Sequence, residues 1–135
     1  MWKTASARVY LILLGVVFLA SCSMAGLQTG EKFLSARDDF NQRLRWQDYQ
    51  GAARHLAVEQ RTLFLEKYSG GEDLRFVAVE PASADLSEEN RRAETVTVLQ
   101  YYRLPSAVVK TFQLKQEWLF ENNSWKVVSP FPELP

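Results

Sequence analysis

Beyond residue 30, apolar residues recur at three- and four-residue steps, the spacing of one helix face. Phe33, Phe40 and Leu44 share such a face, with Ala36 and Arg37 at its flank. Trp46, Tyr49, Ala52 or Ala53, and Leu56 continue the pattern as a second helix. Asp48 stands where its carboxylate can accept the free N–H groups of that helix's first turn. Leu63, Phe64, Leu65 and Tyr68 supply a third helix. The run Ser69-Gly70-Gly71 stops it, since glycine accepts the left-handed conformation at a helix end.

From Leu74 the period changes to two. Strands are expected over residues 74–79, 95–104, 108–120 and 125–128, with a polar loop over 81–92 that holds one helical turn after Ser87. Asn122-Asn123 reads as a two-residue hairpin turn, because Asn tolerates positive φ. That turn sets Phe120 opposite Trp125 and Trp118 opposite Val127. Phe112, Leu114, Trp118, Phe120, Trp125 and Val127 then form an apolar face, and Gln113, Lys115, Glu117, Leu119 and Lys126 a mostly polar one. Helices therefore cover one side of an antiparallel sheet and water the other.

Helices followed by a curved antiparallel sheet resemble the cystatin-like/NTF2-like α+β cone. The resemblance covers residues 31–128 and rests on WQDYQGAARHL in the second-helix position and on QEWLFENNSWKVV, a closing hairpin with a tryptophan on each strand. It implies a fold that hosts isomerases, hydrolases, binding modules and scaffolds, so it does not settle activity.

The chain has 135 residues, enough for one domain. Sixteen Lys and Arg balance sixteen Asp and Glu, so no charge excess recruits nucleic acid. The one cysteine excludes an internal disulfide and a multi-cysteine metal site.

That cysteine stands at the end of an address-like segment. Lys3 and Arg8 precede the apolar run VYLILLGVVFLA over residues 9–20. Such a run reaches about 18 Å as a helix, short of a ~30 Å hydrocarbon core. An uncleaved anchor, extended to Leu27, is the rival reading. Leu19-Ala20-Ser21-Cys22 resembles the lipobox of bacterial lipoproteins. The resemblance implies diacylglycerol on the Cys22 sulfur, cleavage between Ser21 and Cys22, and an acyl chain on the new amine. Several acyl chains give stable anchoring in a bilayer. Ser23 follows the cysteine where Asp would resemble an inner-membrane retention signal, so the outer membrane, facing the periplasm, is implied. Loss of Lys3 and Arg8 leaves fourteen basic against sixteen acidic groups, a formal charge of −2. The expected division is a signal peptide over 1–21, a lipidated tether over 22–30, the domain over 31–129 and an extended proline-rich tail over 130–135, SPFPELP with its leading serine. Phe131 and Leu134 could anchor that tail in a partner's groove; packing on its own domain, or fraying, is the preferred reading.

Two glutamines interrupt apolar alternation: Gln100 among Val96, Val98, Tyr102 and Leu104, and Gln116 among Phe112, Leu114, Trp118 and Phe120. A three-residue loop 105–107 places Gln100 opposite Phe112, and a wider loop could bring it opposite Gln116; both registers put the glutamines on one face. A buried amide needs partners, at about 1–3 kcal/mol if unpaired. One expectation is a cavity between helices and sheet lined by Gln100, Tyr102, Gln116 and Trp118 with Tyr49 above, suited to a small, mostly apolar ligand with a polar end. The other, preferred, is a filled core in which the glutamines bond backbone or each other, or a rim position for them.

His55, the chain's one histidine, could pair with Asp48 or Glu59 for acid–base work, but a surface or helix-end position is the preferred reading. No triad, phosphate-cradling glycine loop or metal-ligand spacing is visible, and neither a catalytic residue nor a cofactor is expected. The function expected is an envelope-anchored lipoprotein binding a small ligand or an envelope protein through the cone. The alternatives are a structural or assembly lipoprotein of an envelope complex and, third, a small NTF2-like isomerase or hydrolase.

Overall fold

The computed structural model describes residues 28–135 apart from Glu88 and Asn90. The signal peptide, Ser21 and Cys22 lie outside the described residues. Helix α1 is described over 28–45, so residues 28–30, assigned above to the tether, are already helical. Helices α2 (Tyr49–Ala53) and α3 (Val58–Tyr68) follow. Strands β1 (Leu74–Leu86), β2 (Arg92–Arg103), β3 (Lys110–Glu121) and β4 (Ser124–Val127) form one antiparallel sheet in the order β1-β2-β3-β4. The α+β class and the helix-then-sheet order match the expectation.

Local chemistry explains the helix ends, with one difference. Asp48 caps α2 as expected, its Oδ1 accepting from Gly51 N at 2.9 Å. Helix α3 ends without a left-handed glycine. Instead Ser69 caps it in helical conformation and its hydroxyl donates to Leu65 O at 2.5 Å. Trp46, read from its spacing as part of the second helix, precedes α2 and is 72% exposed, with the Arg45 guanidinium over its ring.

Strand β1 runs through Pro81 where a loop was expected. It is an edge strand, so a residue without an N–H is tolerated there, and register shifts interrupt its pairing at Phe76/Ala78 and Pro81/Ser83. The β3–β4 hairpin matches the sequence reading: Trp118 pairs with Val127, Phe120 with Trp125, and Asn122 and Asn123 have φ of 50° and 60°. The segment after α2 covers the β4 edge, with Ala57 N donating to Val127 O and Val127 N to His55 O.

Phe33 and Phe40 of α1 meet the fully buried Trp118 ring edge-on, at centroid distances of 5.8 and 6.0 Å. Helix α1 crosses the sheet, for Arg45 Nη1 donates to Phe76 O and Gln47 Nε2 to Leu74 O on β1. The tail closes the remaining side of the core. Phe131 packs against both Phe64 and Tyr68, Leu134 is buried, and Tyr68 and Tyr101 hydroxyls donate to Pro132 O and Pro135 O. Phe131 and Leu134 thus anchor the tail on its own domain. Among the described residues no helix is long and apolar enough to cross a membrane.

Candidate functional site

The expected pocket residues do not converge. Strand β2 turns Ala93, Thr95, Thr97, Leu99 and Tyr101 to the core, all buried. Gln100 and Tyr102 therefore belong to the outer face, half-buried, and Gln100 pairs with Thr111 rather than Phe112 or Gln116. The reason is an odd register. Tyr101 pairs with Lys110 across the connection 104–109, and a one-residue difference exchanges the two faces of a strand. Threonines occupy two core positions and valines sit outside, which inverts the apparent apolar side.

Trp118 and Gln116 do face inward, 0% and 4% exposed. Trp118 Nε1 donates to Thr95 Oγ1 at 3.2 Å, whereas Gln116 Nε2 has no hydrogen-bond partner. Tyr49 is buried elsewhere, its ring 6.0 Å from both Phe64 and Tyr68, and burial raises its pKa. Phe33, Phe40 and Trp118 thus pack together between helices and sheet, where the sequence left a filled core or a cavity open. Gln116 also borders a cavity of about 280 Å³ with Asp85, Glu94, Lys115 and Glu117, side chains of the outer-face register.

A different constellation forms between α1, α2 and the β3–β4 turn. Asp39 and Arg43 lie one helical turn apart on α1, and Asp39 Oδ2 accepts from Arg43 Nε at 2.7 Å. The same oxygen bonds His55 Nε2 at 2.6 Å. The other arm of Arg43, Nη1, donates to Asp48 Oδ2 at 2.6 Å. One chain of charge-assisted bonds therefore runs from His55 through Asp39 and Arg43 to the α2 cap. Expected partners Asp48 and Glu59 give way to Asp39, sixteen residues before the histidine.

Packing fixes the imidazole. Its ring stands edge-on to Phe40 at 6.3 Å and tilted to Trp118 at 6.5 Å, and the side chain is 18% exposed. Arg43 and Asp48 meet over Gly51, so a side chain at position 51 displaces their contact. A Cβ on Gly51 stands 2.2 Å from Asp48 Oδ2 and 2.3 Å from Arg43 Nη1. The Arg43 hydrogen bond, reinforced by His55, holds the Asp39 carboxyl below the usual carboxylate range. The Gly51 N–H, then Arg43, does the same for Asp48.

This network borders an open groove of about 530 Å³. Lys32, Arg54 and Lys126 complete its rim. Lys32 Nζ donates across it to Asn123 Oδ1 at 3.0 Å, and Lys126 Nζ to Arg54 O at 2.5 Å. Burial, and then the charge of Arg61, lower the Lys126 pKa. The sequence carried one hint of this site, the single histidine. Asp39 was missed because nothing local distinguishes it from a solvent-facing helix residue.

The chain matches no family model and no curated protein. Among solved structures it is similar to a SEC-C motif containing protein from Rhodopseudomonas palustris, with 10% identity, a TM-score of 0.53, and coverage of 64% of this chain and 67% of that one. It is also similar to a protein of unknown function with a cystatin-like fold from Nostoc punctiforme, with 12% identity, a TM-score of 0.49, and coverage of 73% and 85%. At such identities a likeness concerns the fold.

Proposed function

We propose that the chain is a lipid-anchored binding module of the bacterial cell envelope, with its ligand seat in the groove at His55 rather than inside the cone. The anchor is diacylglycerol and an N-acyl chain on Cys22, supported by the basic start, the short apolar run and Leu19-Ala20-Ser21-Cys22. Ser23 favours the outer membrane, with the domain facing the periplasm.

The observation that carries the binding half is the pinned network beside an open groove: Asp39 held by both Arg43 and His55. Preorganised polar groups bordering a concavity orient a ligand at little entropic cost. Asp39 is spent on its two partners, and no hydroxyl or thiol hydrogen-bonds His55 among the described residues. The arrangement suits holding a ligand better than turning one over.

Each half has its own test. Radioactive palmitate fed to producing cells should label the chain, and Cys22→Ala should abolish the label; labelling that survives the substitution refutes the anchor. Native mass spectrometry of the full chain from those cells should show a retained small molecule that Arg43→Gln releases. A ligand retained equally by that variant places the seat elsewhere.

A further inference from the structure

We propose that this groove binds a phosphate-type oxyanion. The inference rests on the reading of the groove as the ligand seat and names the ligand's chemical class.

The argument is one of charge left over. Among groove-lining side chains, Lys32, Arg43, Arg54 and Lys126 are cationic, His55 can become so, and Asp39 is the one carboxylate. Arg43 and His55 already meet Asp39, and the second arm of Arg43 meets Asp48, so Arg43 is matched inside the network, which carries one net negative charge with a neutral imidazole. Lys32, Arg54 and Lys126 remain. Among the described residues, none of the three has a carboxylate within ion-pair distance. Each lysine spends one hydrogen bond on a neutral oxygen, although an ammonium has three donors.

Their placement matters as much as their number. Lys32 comes from α1, Arg54 from the end of α2 and Lys126 from β4, so they border one concavity instead of forming a row on one solvated helix face. Like charges on the rim of a concave, low-dielectric wall add their fields in the space between them. An anion entering that space meets their summed field. An oxyanion with several acceptor oxygens also uses the spare donors of Lys32, Lys126 and the Arg54 guanidinium together. Ser35 and Ser124 border the same space.

Two sources share this chemistry: the phosphodiester of an anionic lipid headgroup and a soluble phosphate. On the proposed Cys22 anchor, at most about 20 Å of chain separates the lipid from the described start of α1.

Because His55 is the chain's only histidine, its imidazole carbon–proton NMR signal reports the groove directly. The full chain in non-ionic detergent is titrated with inorganic phosphate against chloride at matched ionic strength. A second arm compares phosphatidylcholine nanodiscs with and without phosphatidylglycerol. A saturable movement of the His55 signal by phosphate, or one induced only by phosphatidylglycerol, is expected; the first marks a soluble source and the second a headgroup. Arg54→Gln with Lys126→Gln should weaken the response about tenfold or more. Lys110→Gln, exposed at the start of β3, should leave it unchanged. If the Lys126 variant fails to fold, Lys32→Gln with Arg54→Gln serves, both positions being exposed. A linear response in both arms, or an undiminished one in the rim variant, overturns the proposal. If phosphate fails while native mass spectrometry shows an uncharged ligand released by Arg43→Gln, the seat stands and its anionic ligand falls. If neither ligand is found, both fall.

Discussion

Trp118 Nε1 donates to Thr95 Oγ1 at 3.2 Å, diagonally across the β2–β3 pair and wholly inside the core. This bond gives a polar side chain a reason to occupy a core position of β2. It lies on the side of β2 that faces the helices, where Thr95, Thr97, Leu99 and Tyr101 turn inward together.

Replacing Thr95 by Val keeps the shape and removes the acceptor, leaving a buried indole N–H unpaired. The expected loss is about 1–2 kcal/mol, with Thr95→Ser costing less. Urea denaturation monitored by tryptophan fluorescence checks it. An unchanged midpoint for Thr95→Val shows that the bond contributes nothing.

Gln116 is the converse case, a buried amide whose Nε2 lacks a partner. Its desolvation is uncompensated at that atom, so Gln116→Met, similar in length, should raise stability by about 1 kcal/mol. A lower melting temperature for the variant means that the amide makes a compensating bond in solution.

Asp39 predicts a dependence on acid. Arg43, then His55, depress its pKa below the ordinary 3.8, so the folded state favours the carboxylate. That stabilisation is fully present above the ordinary value and is lost as pH falls through the depressed one. Asp39→Asn should therefore lower stability at neutral pH and flatten its decline below about pH 4. Because the side chain is 43% exposed, solvent screening keeps the effect small. Parallel wild-type and variant curves between pH 5 and 2 in equilibrium unfolding refute the assignment.

At the other end of the scale, burial pushes the Tyr68 hydroxyl from 10.0 up to about 12. The fold favours the protonated phenol. This contribution is present below pH 10 and is lost as pH rises through about 12. Leu134→Ala should cost about 2–4 kcal/mol, loosen the tail and return the Tyr68 ionisation toward its ordinary value. Tyrosine-ring NMR through an alkaline titration reads the change. An unmoved Tyr68 in that variant means that the tail does not shield it.

Correctly legible features were local ones. Asp48 as a cap and Asn122-Asn123 as the turn depend on side chains within a few residues of the backbone groups they serve. The hairpin's apolar alternation then follows, because a two-residue loop leaves one register. Pro81 misled because its tolerance within β1 depends on that strand's lying at the sheet edge.

What the sequence by itself determined was therefore the α+β class, the helix-to-sheet order and the closing hairpin: features written in short-range periodicity and turn chemistry. Tertiary structure decided which face of β2 is buried, since a connection of unspecified register can set either, and only Trp118 gives Thr95 its partner. It also decided that His55 meets Asp39 and that three cations from separate elements share a groove. Such juxtapositions arise when helices cross a sheet, and residue spacing along the chain carries no record of them.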